Sequence, residues 1–392
     1  MVATTLVMTI ARPVAVITPL TTVNQAIELF QQQPHLLALP VMQQQHLLGI
    51  ISRRELFFRH LAKPFARELF GRKPVETLLE GKPLVLAGEL EMSDALNRLL
   101  LLDPQLENDC FGVSLADGSV AIAAVGDLMM AISRSQAVLL ETLNNLSSRI
   151  RSEVEMARQV QAALLPATPL VHAGIAVAAG LVNSTEISGD FYDVFPLDEH
   201  RLGLLVADVT GHGVQAGLVT TAAKAGLQTL LDNGVRTPAR LLSGINRALM
   251  ATAGGSLLMT ALIAVLDHQT GTAVLSSAGH PYPYWRQCDT GQWQLVPLEP
   301  GFPLGFSDEA DYDETLIPFL PGDCLLLYSD GIQEAENDRG VLFGERQLLA
   351  TLQQAAGKPE QVRDALLTAA RSFRGNEHFD DDVTLVVAQQ EA

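Results

Sequence analysis

The sequence predicts an α+β protein in which an α/β repeat module and a helical linker precede a C-terminal antiparallel sandwich. Three observations predict it. A strand–helix–strand–strand–helix order occurs twice in the first third of the chain. Neither Gly nor Pro interrupts the stretch between Ser135 and Pro166. Beyond Pro166, helices come in pairs between runs of strands instead of singly after each strand, which favours an antiparallel α+β sandwich over a doubly wound parallel sheet. At 392 residues the chain is long for one core, so two domains are the default.

The repeat module reads in order as follows. A short strand is expected over 13–17 and a helix over 22–32, with Thr22 as its cap and Val23, Ala26, Ile27 and Phe30 on one apolar face. Strands follow over 38–42 and 47–51, separated by a Gln-rich turn, and a helix begins near Ser52. The order recurs with a strand over 83–86, a helix over 93–102, strands over 110–115 and 120–125 around an Asp117-Gly118 turn, and a helix over 127–133. This order resembles a pair of cystathionine-beta-synthase-type (CBS) modules. The resemblance implies an adenine nucleotide bound at a Gly-x-x-Ser/Thr-x-x-Asp stretch. Residues 49–55, GIISRRE, keep Gly49 and Ser52 but carry Glu55 in place of Asp. The second copy has Ala121 and Ala124 where Gly and Ser/Thr are expected, and keeps Asp127. Ser52, Glu55 and Asp127 are the candidate ligand contacts, and a packed regulatory or dimerisation module without a ligand is the competing reading.

In the linker, Leu143, Ile150, Ala157 and Leu164 fall seven apart, and Leu139, Leu146, Glu153 and Val160 form the complementary series. Such an a/d pattern over about four heptads predicts a coiled coil or a long docking helix, and a homodimer is expected, the competing reading being an amphipathic helix packed on its own domain. Pro166 ends it. The domains expected are therefore residues 1–133, a linker over 134–165, and residues 166–392. In the last of these, strands are expected over 175–182, 191–195, 202–209, 259–266, 272–277, 324–329 and 383–388. Paired helices are expected over 213–232 and 238–252, and over 347–356 and 359–373.

Composition excludes several functions. Asp plus Glu number 44 against 26 Lys plus Arg, a net charge of −18, which repels phosphate backbones and argues against general nucleic-acid binding. The three cysteines, Cys110, Cys288 and Cys324, are far apart, so neither a disulfide framework nor a thiolate zinc site is expected. No apolar run approaches the roughly 20 residues of a membrane span, and the start of the chain, interrupted by Arg12, does not read as a signal peptide. A cytoplasmic protein is expected.

Four motifs in the C-terminal part carry carboxylates at strand ends: Ser188-Gly189-Asp190 with Asp193 close behind, Asp208-Val209-Thr210-Gly211, Ser329-Asp330-Gly331, and Asp380-Asp381-Asp382. Any one of them is ordinary turn chemistry. Together, apolar runs leading into Asp208 and Asp330 bring carboxylates to the ends of neighbouring buried strands, where they repel one another unless cations intervene. Hard oxygen ligands without a Cys cluster or a tight His pair suggest magnesium or manganese.

At these residues the sequence resembles the PPM superfamily of protein phosphatases, in its bacterial SpoIIE/RsbU-like branch. The resemblance spans residues 155–389. It includes residues 157–166 (ARQVQAALLP), the Asp190 and Asp208 motifs, 278–281 (AGHP), 303–305 (PLG), 328–331 (YSDG) and 381–384 (DDVT). It departs from the family at Ser188, where a second Gly is usual, and a residue as small as Ser is expected to matter little. The resemblance implies an α-β-β-α sandwich of two antiparallel sheets. It also implies a pair of Mn2+ or Mg2+ ions held by Asp190, a bridging Asp208, the Val209 carbonyl, Asp330 and Asp381. Asp193 and Asp382 are candidates for a third cation or for support of the ligands, the competing reading being turn and capping chemistry. Two cations roughly 3.5–4 Å apart can hold and activate a water for in-line attack on a phosphoester, so no side-chain nucleophile is required, and neither a Gly-x-Ser-x-Gly elbow nor a P-loop is present. His212 is a candidate proton donor to the leaving alkoxide, and His280 is read as structural. The function implied is hydrolysis of phosphoserine or phosphothreonine on a partner such as an anti-sigma-factor antagonist. The alternatives are a pseudophosphatase that senses a ligand and recruits a partner, and a nucleotide cyclase or phosphodiesterase, for which no nucleotide-specific motif is found.

Overall fold

A computed structural model describes residues 5–211, 213–254, 256–355 and 357–391. The chain divides into two compact units, Met1–Ser147 and Ser148–Ala392.

The N-terminal unit contains β1 (Arg12–Pro13), α1 (Val23–Gln32), β2 (Ala38–Gln43), β3 (His46–Ser52), β4 (Val85–Ala87), α2 (Met92–Leu102), β5 (Cys110–Ser114) and β6 (Val120–Ala124). α1 starts where the sequence says. Thr22 caps it in a reciprocal capping box with Gln25, and its buried face is Val23, Ala26, Ile27 and Phe30. Each copy of the repeat is an antiparallel hairpin joined in parallel by a third segment: β2–β3 with Ile17 bridged to Val41, and β5–β6 with β4 beside β5. The strand expected over 13–17 is broken because its ends pair with different neighbours. Arg12 and Pro13 oppose Ile122 and Ala121, whereas Ile17 opposes Val41. After Ser52 the backbone makes a short helix, Arg53–Glu55, and then a π-helical turn, Leu56–His60.

A single helix, α3 (Val125–Leu164), runs through the boundary expected at 133/134. From 133 to 153 every residue on it is exposed, the heptad residues Leu139, Leu143, Leu146 and Ile150 included.

The C-terminal unit continues with β7 (Leu170–His172), β8 (Ile175–Val182), β9 (Asp190–Pro196), β10 (Arg201–Val209), α4 (Val214–Asp232), α5 (Pro238–Ala253), β11 (Met259–Asp267), β12 (Thr272–Ala278), β13 (Tyr284–Arg286), β14 (Trp293–Leu295), β15 (Thr315–Pro318), β16 (Cys324–Tyr328), α6 (Gly344–Gln354), α7 (Pro359–Arg374) and β17 (Val383–Gln390). The strands form two antiparallel sheets, in the orders β15-β12-β11-β10-β9 and β14-β13-β16-β17-β8-β7. Alternation along each strand sends one set of side chains between the sheets and the other toward a helix pair. Leu204, Val206, Leu262, Leu325 and Val386 fill the layer between the sheets. Leu205, Ala207 and Ile263 pack under α4 and α5. Leu326, Leu385 and Val387 pack under α6 and α7. This is the α-β-β-α sandwich the sequence implied. α5 and α7 are delimited alike, with Pro in the first turn and a left-handed Gly, Gly254 or Gly375, just past the end. Among the described residues no helix is long and apolar enough to cross a membrane.

Candidate metal centre

Strand period decides which carboxylates meet. In the β9–β10 ladder Asp190 stands directly opposite Asp208. Asp190 shares its face with Tyr192 and Val194, and Asp208 with Leu204 and Val206, all of which line the layer between the sheets. The two carboxylates therefore sit at one end of the sandwich, facing the second sheet. From that sheet Ser329, just past β16, and Thr384, on β17, donate their hydroxyls to Asp190 Oδ2, each at 2.6 Å. Asp330 follows Ser329, and Asp381 lies two residues before β17. Thr384 N–H donates to Ser329 Oγ at 2.9 Å, which locks the two hydroxyl-bearing residues together.

Electrostatics mark the cluster as under-compensated. Burial and the neighbouring Asp208 push the Asp190 carboxyl up, against the opposing pull of Ser329 and Thr384. Burial, then Asp330 and Asp381, push Asp208 up to about 7. Burial and Asp381 raise Asp330. Glu334, one turn beyond Asp330, is raised by burial and by the same two aspartates. Carboxyls that raise one another in this way need either protons or cations.

Two glycines shape the backbone around them. A Cβ at Gly189 would lie 2.8 Å from the Gly211 carbonyl oxygen and 3.1 Å from that of Val209. The missing side chain thus leaves a cradle bounded by two carbonyls beside Asp190 and Asp208. A Cβ at Gly331 would lie 2.0 Å from the Asp382 carbonyl oxygen, so only Gly lets the Asp330 turn pack against the Asp381–Asp382 backbone. An all-oxygen donor set with a carbonyl cradle fits a hard divalent cation. Among the described residues no three Asp, Glu, His or Cys side chains close on one point at ligand distance.

The other sequence-predicted residues fall elsewhere. Asp193 projects from the opposite face of β9, three residues from Asp190, and forms a buried ion pair with Lys224 of α4. It braces a helix and does not face the carboxylate cluster. Asp382 accepts four hydrogen bonds, from Ser184 N–H and Oγ–H and from Ser188 Oγ–H and Gly189 N–H, at 2.6–2.9 Å. Its oxygens anchor the Ser184–Gly189 loop. Ser188 therefore does more than fill space: its hydroxyl binds Asp382 at 2.6 Å and receives Asp190 N–H at 3.1 Å, neither of which Gly offers. His280 is fully buried, and its Nδ1 meets Thr260 Oγ1 at 2.8 Å while burial pushes the ring down to about 3. Thr260 stands opposite Asp208, so His280 supports the floor of the cluster. His212 lies outside the described residues.

In the N-terminal unit, Ser52 Oγ caps its own helix by accepting Glu55 N–H at 3.1 Å. Glu55 pairs with Arg59 at 3.1 Å, and Asp127 with Arg12 at 3.1 Å. Arg53 turns back to the end of α1, donating to Phe30 O and to Gln33 O at 2.8 Å, a cation on a helix C-terminus, and to Leu36 O in the following loop at 3.0 Å.

Sequence reasoning passed over Lys224, Glu334, Ser184 and Gln161. Glu334 stands four residues after Asp330, a spacing visible in the sequence once Asp330 heads a helical turn. Gln161 lies within the 157–166 stretch that carries the resemblance, whereas a lysine inside a helix carries no such signal.

Residues 198–391 match the family model for stage II sporulation protein E (SpoIIE), and residues 7–60 match that for the CBS domain. The chain is 29% identical over 255 residues to phosphoserine phosphatase RsbU of Bacillus subtilis, covering 64% of this chain and 73% of RsbU. It is 27% identical over 188 residues to phosphoserine phosphatase RsbP of the same organism, spanning 47% of this chain and 46% of RsbP. The solved SiaA-PP2C domain of Pseudomonas aeruginosa superposes with a TM-score of 0.55 at 23% identity, covering 62% of this chain and 98% of that domain, a likeness of fold.

Proposed function

Because this chain carries a SpoIIE-type PP2C phosphatase domain, related to the phosphoserine phosphatases RsbU and RsbP, behind an N-terminal CBS domain, we propose that it is a regulated protein-serine/threonine phosphatase whose activity depends on a pair of Mn2+ or Mg2+ ions. The observation that carries the reading is the meeting of Asp190 and Asp208 across one sheet, with Asp190 gripped by Ser329 and Thr384 from the other and Asp330 and Asp381 adding like charge. In this reading Asp190, a bridging Asp208, the Val209 carbonyl, Asp330 and Asp381 hold the cations. Bound cations there supply neutralisation of phosphoryl oxygens and activation of a water. The chain's own contribution is positional: Ser329 and Thr384 fix the Asp190 carboxylate, Asp382 fixes the Ser184–Gly189 loop, and Gly331 brings the Asp330 turn against Asp381. The retention of all four principal aspartates weighs against a ligand-sensing pseudophosphatase.

The substrate proposed is a phosphorylated signalling protein of the anti-sigma-factor-antagonist kind, as expected of an RsbU-like enzyme. Residues 1–133 are the regulatory module, 134–165 the connecting helix and 166–392 the catalytic domain, and an adenine nucleotide is the ligand proposed for the module. The half-exposed Leu139, Leu143, Leu146 and Ile150 suit a homodimer seam. Ile150→Asp is expected to convert that dimer to monomer in sedimentation.

The test is hydrolysis of a phosphoserine protein with manganese supplied. Asp208→Asn and Asp330→Asn should each lower turnover at least about a hundredfold with the fold retained by circular dichroism. Full activity in either variant would sink the reading.

A further inference from the structure

Phe302 and Phe306 flank residues 303–305, and both are more than half exposed, at 57% and 56%. Their rings stack, with centroids 5.0 Å apart and planes within 5° of parallel. A turn brings them together: Phe306 N–H donates to Pro303 O at 3.3 Å, and Gly305 takes a φ of +85°. Stacking covers one face of each ring and leaves the outer faces to water, an unfavourable place for so much apolar surface.

The loop that carries the rings is held from both sides. Leu304 exchanges backbone hydrogen bonds with Met259, at 2.8 and 3.0 Å. Buried Asn246 of α5 accepts Gly305 N–H at 2.8 Å and donates to Ser307 O at 2.8 Å. A Cβ on Gly305 would lie 2.8 Å from Leu257 O, and one on Gly279 would lie 3.1 Å from Pro303 Cγ. An aromatic pair on so fixed a loop meets a partner with little ordering left to do. Its place is the carboxylate end of the sandwich. β10 ends at Val209 and β11 starts there, with Met259 opposite Val209 and Thr260 opposite Asp208. Leu304 bridges to Met259 on the far side from β10. Two strand spacings of about 4.8 Å therefore separate the strand of Asp208 from Leu304, about 10 Å in all. An extended peptide covers that distance in about three residues, at roughly 3.3 Å each.

We propose that Phe302 and Phe306 form a substrate-selecting surface: a phosphoserine segment lies extended across the rim from the metal centre and seats an apolar side chain, about three residues from the phosphoserine, on the outer faces of the two rings. The inference rests on the metal-centre reading above and adds to it a preference in the sequence of the phosphoprotein. The occupant is the substrate because its phosphoester must sit at the carboxylate cluster, one short segment away. Cations select a phosphoryl group and are indifferent to the side chains beside it, so discrimination among phosphoproteins falls to surfaces placed like this one. Rigid, exposed aromatic rings are the residues best suited to that task.

The experiment gives the full chain, with manganese chloride, two short synthetic phosphoserine peptides. One carries leucine three places to each side of the phosphoserine, and the other carries serine at those two places and is otherwise identical. The unsubstituted chain should hydrolyse the leucine peptide with a kcat/KM about tenfold higher, the difference lying in KM. In the chain with both Phe302→Ser and Phe306→Ser that ratio should fall to within about twofold of one. With Phe302→Tyr and Phe306→Tyr, which keep both rings, the preference should remain. Should the double serine variant fail to fold, each single variant is measured, and a preference undiminished in both overturns the proposal. A preference that survives the double variant overturns it too. So does a change of sedimentation in the double variant with the preference kept, which would make a second copy of the chain the occupant. Hydrolysis of both peptides at equal efficiency by the unsubstituted chain sinks the role of the aromatic pair alone. Hydrolysis of neither with manganese supplied sinks the metal-centre reading, and the proposal with it.

Discussion

The two units treat their motif residues in opposite ways. In the N-terminal unit every polar residue singled out by motif is answered by a close partner of ordinary kind: Ser52 by a backbone N–H of its own helix, Glu55 by Arg59, Asp127 by Arg12. In the C-terminal unit the carboxyls of buried Asp190 and half-buried Asp208 and Asp330 stand against other carboxyls, and desolvation with mutual repulsion raises all three. Lys224, the cation that does reach this part of β9, sits on the other face and answers Asp193. The contrast teaches where to look for chemistry. A satisfied acidic residue is part of the scaffold, and a set of acidic residues that destabilise one another persists because something else binds there.

Substitutions sharpen or break this contrast. The largest effect is expected at Gly331. Any Cβ there meets the Asp382 carbonyl oxygen, so Gly331→Ala should cost about 3 kcal/mol in urea unfolding and abolish manganese-dependent hydrolysis. Next comes the scaffold pair. Lys224→Met strands Asp193 in the core and should cost about 2–3 kcal/mol, while Asp193→Asn combined with Lys224→Met should recover part of it, as a thermodynamic cycle would measure.

His280 gives a pH signature. Its ring is held down to about 3 by burial, below the usual value near 6.5, so between these values the unfolded chain binds a proton that the folded one refuses. Its contribution is full above pH 6.5 and drains away as pH falls toward 3. Between pH 7 and 5 the native chain should lose up to about 2 kcal/mol more stability than a His280→Asn variant, read from urea midpoints at each pH. The smallest effects belong to the N-terminal unit. Glu55→Gln and Asp127→Asn remove exposed pairs and should each change stability by less than about 1 kcal/mol. A loss of several kcal/mol there would erase the contrast between the units.

Most of the sandwich was legible because its signals are local. The apolar run ending at Asp208 sets both the strand and the face its carboxylate takes, and the Pro and Gly at the ends of α5 and α7 punctuate the helices. The four aspartate motifs were legible by the same logic. What escaped depends on tertiary partners. The heptad pattern gives no sign that Gln161 is buried, because its partners, Ser188 and Thr220, lie 27 and 59 residues away. Lys224 reads as a surface lysine until Asp193 is found beneath it. The expected boundary at 133/134 follows the repeat, whereas the backbone, with no Gly or Pro between Ser135 and Pro166, continues as one helix. Ser188 reads as a mere substitute for Gly until its hydroxyl is seen on Asp382.

The claim at the centre of this account is that carboxylates from both sheets hold divalent cations. The most direct measurement is calorimetric titration of manganese chloride into the full chain at pH 7, in two buffers that differ in ionisation enthalpy. Asp208 is raised to about 7, so cation binding should expel protons and weaken as pH falls below that value. The account predicts two manganese ions per chain, proton release that the buffer pair detects, and loss of binding in Asp208→Asn. Manganese binding that releases no proton and is unchanged in Asp208→Asn would contradict it.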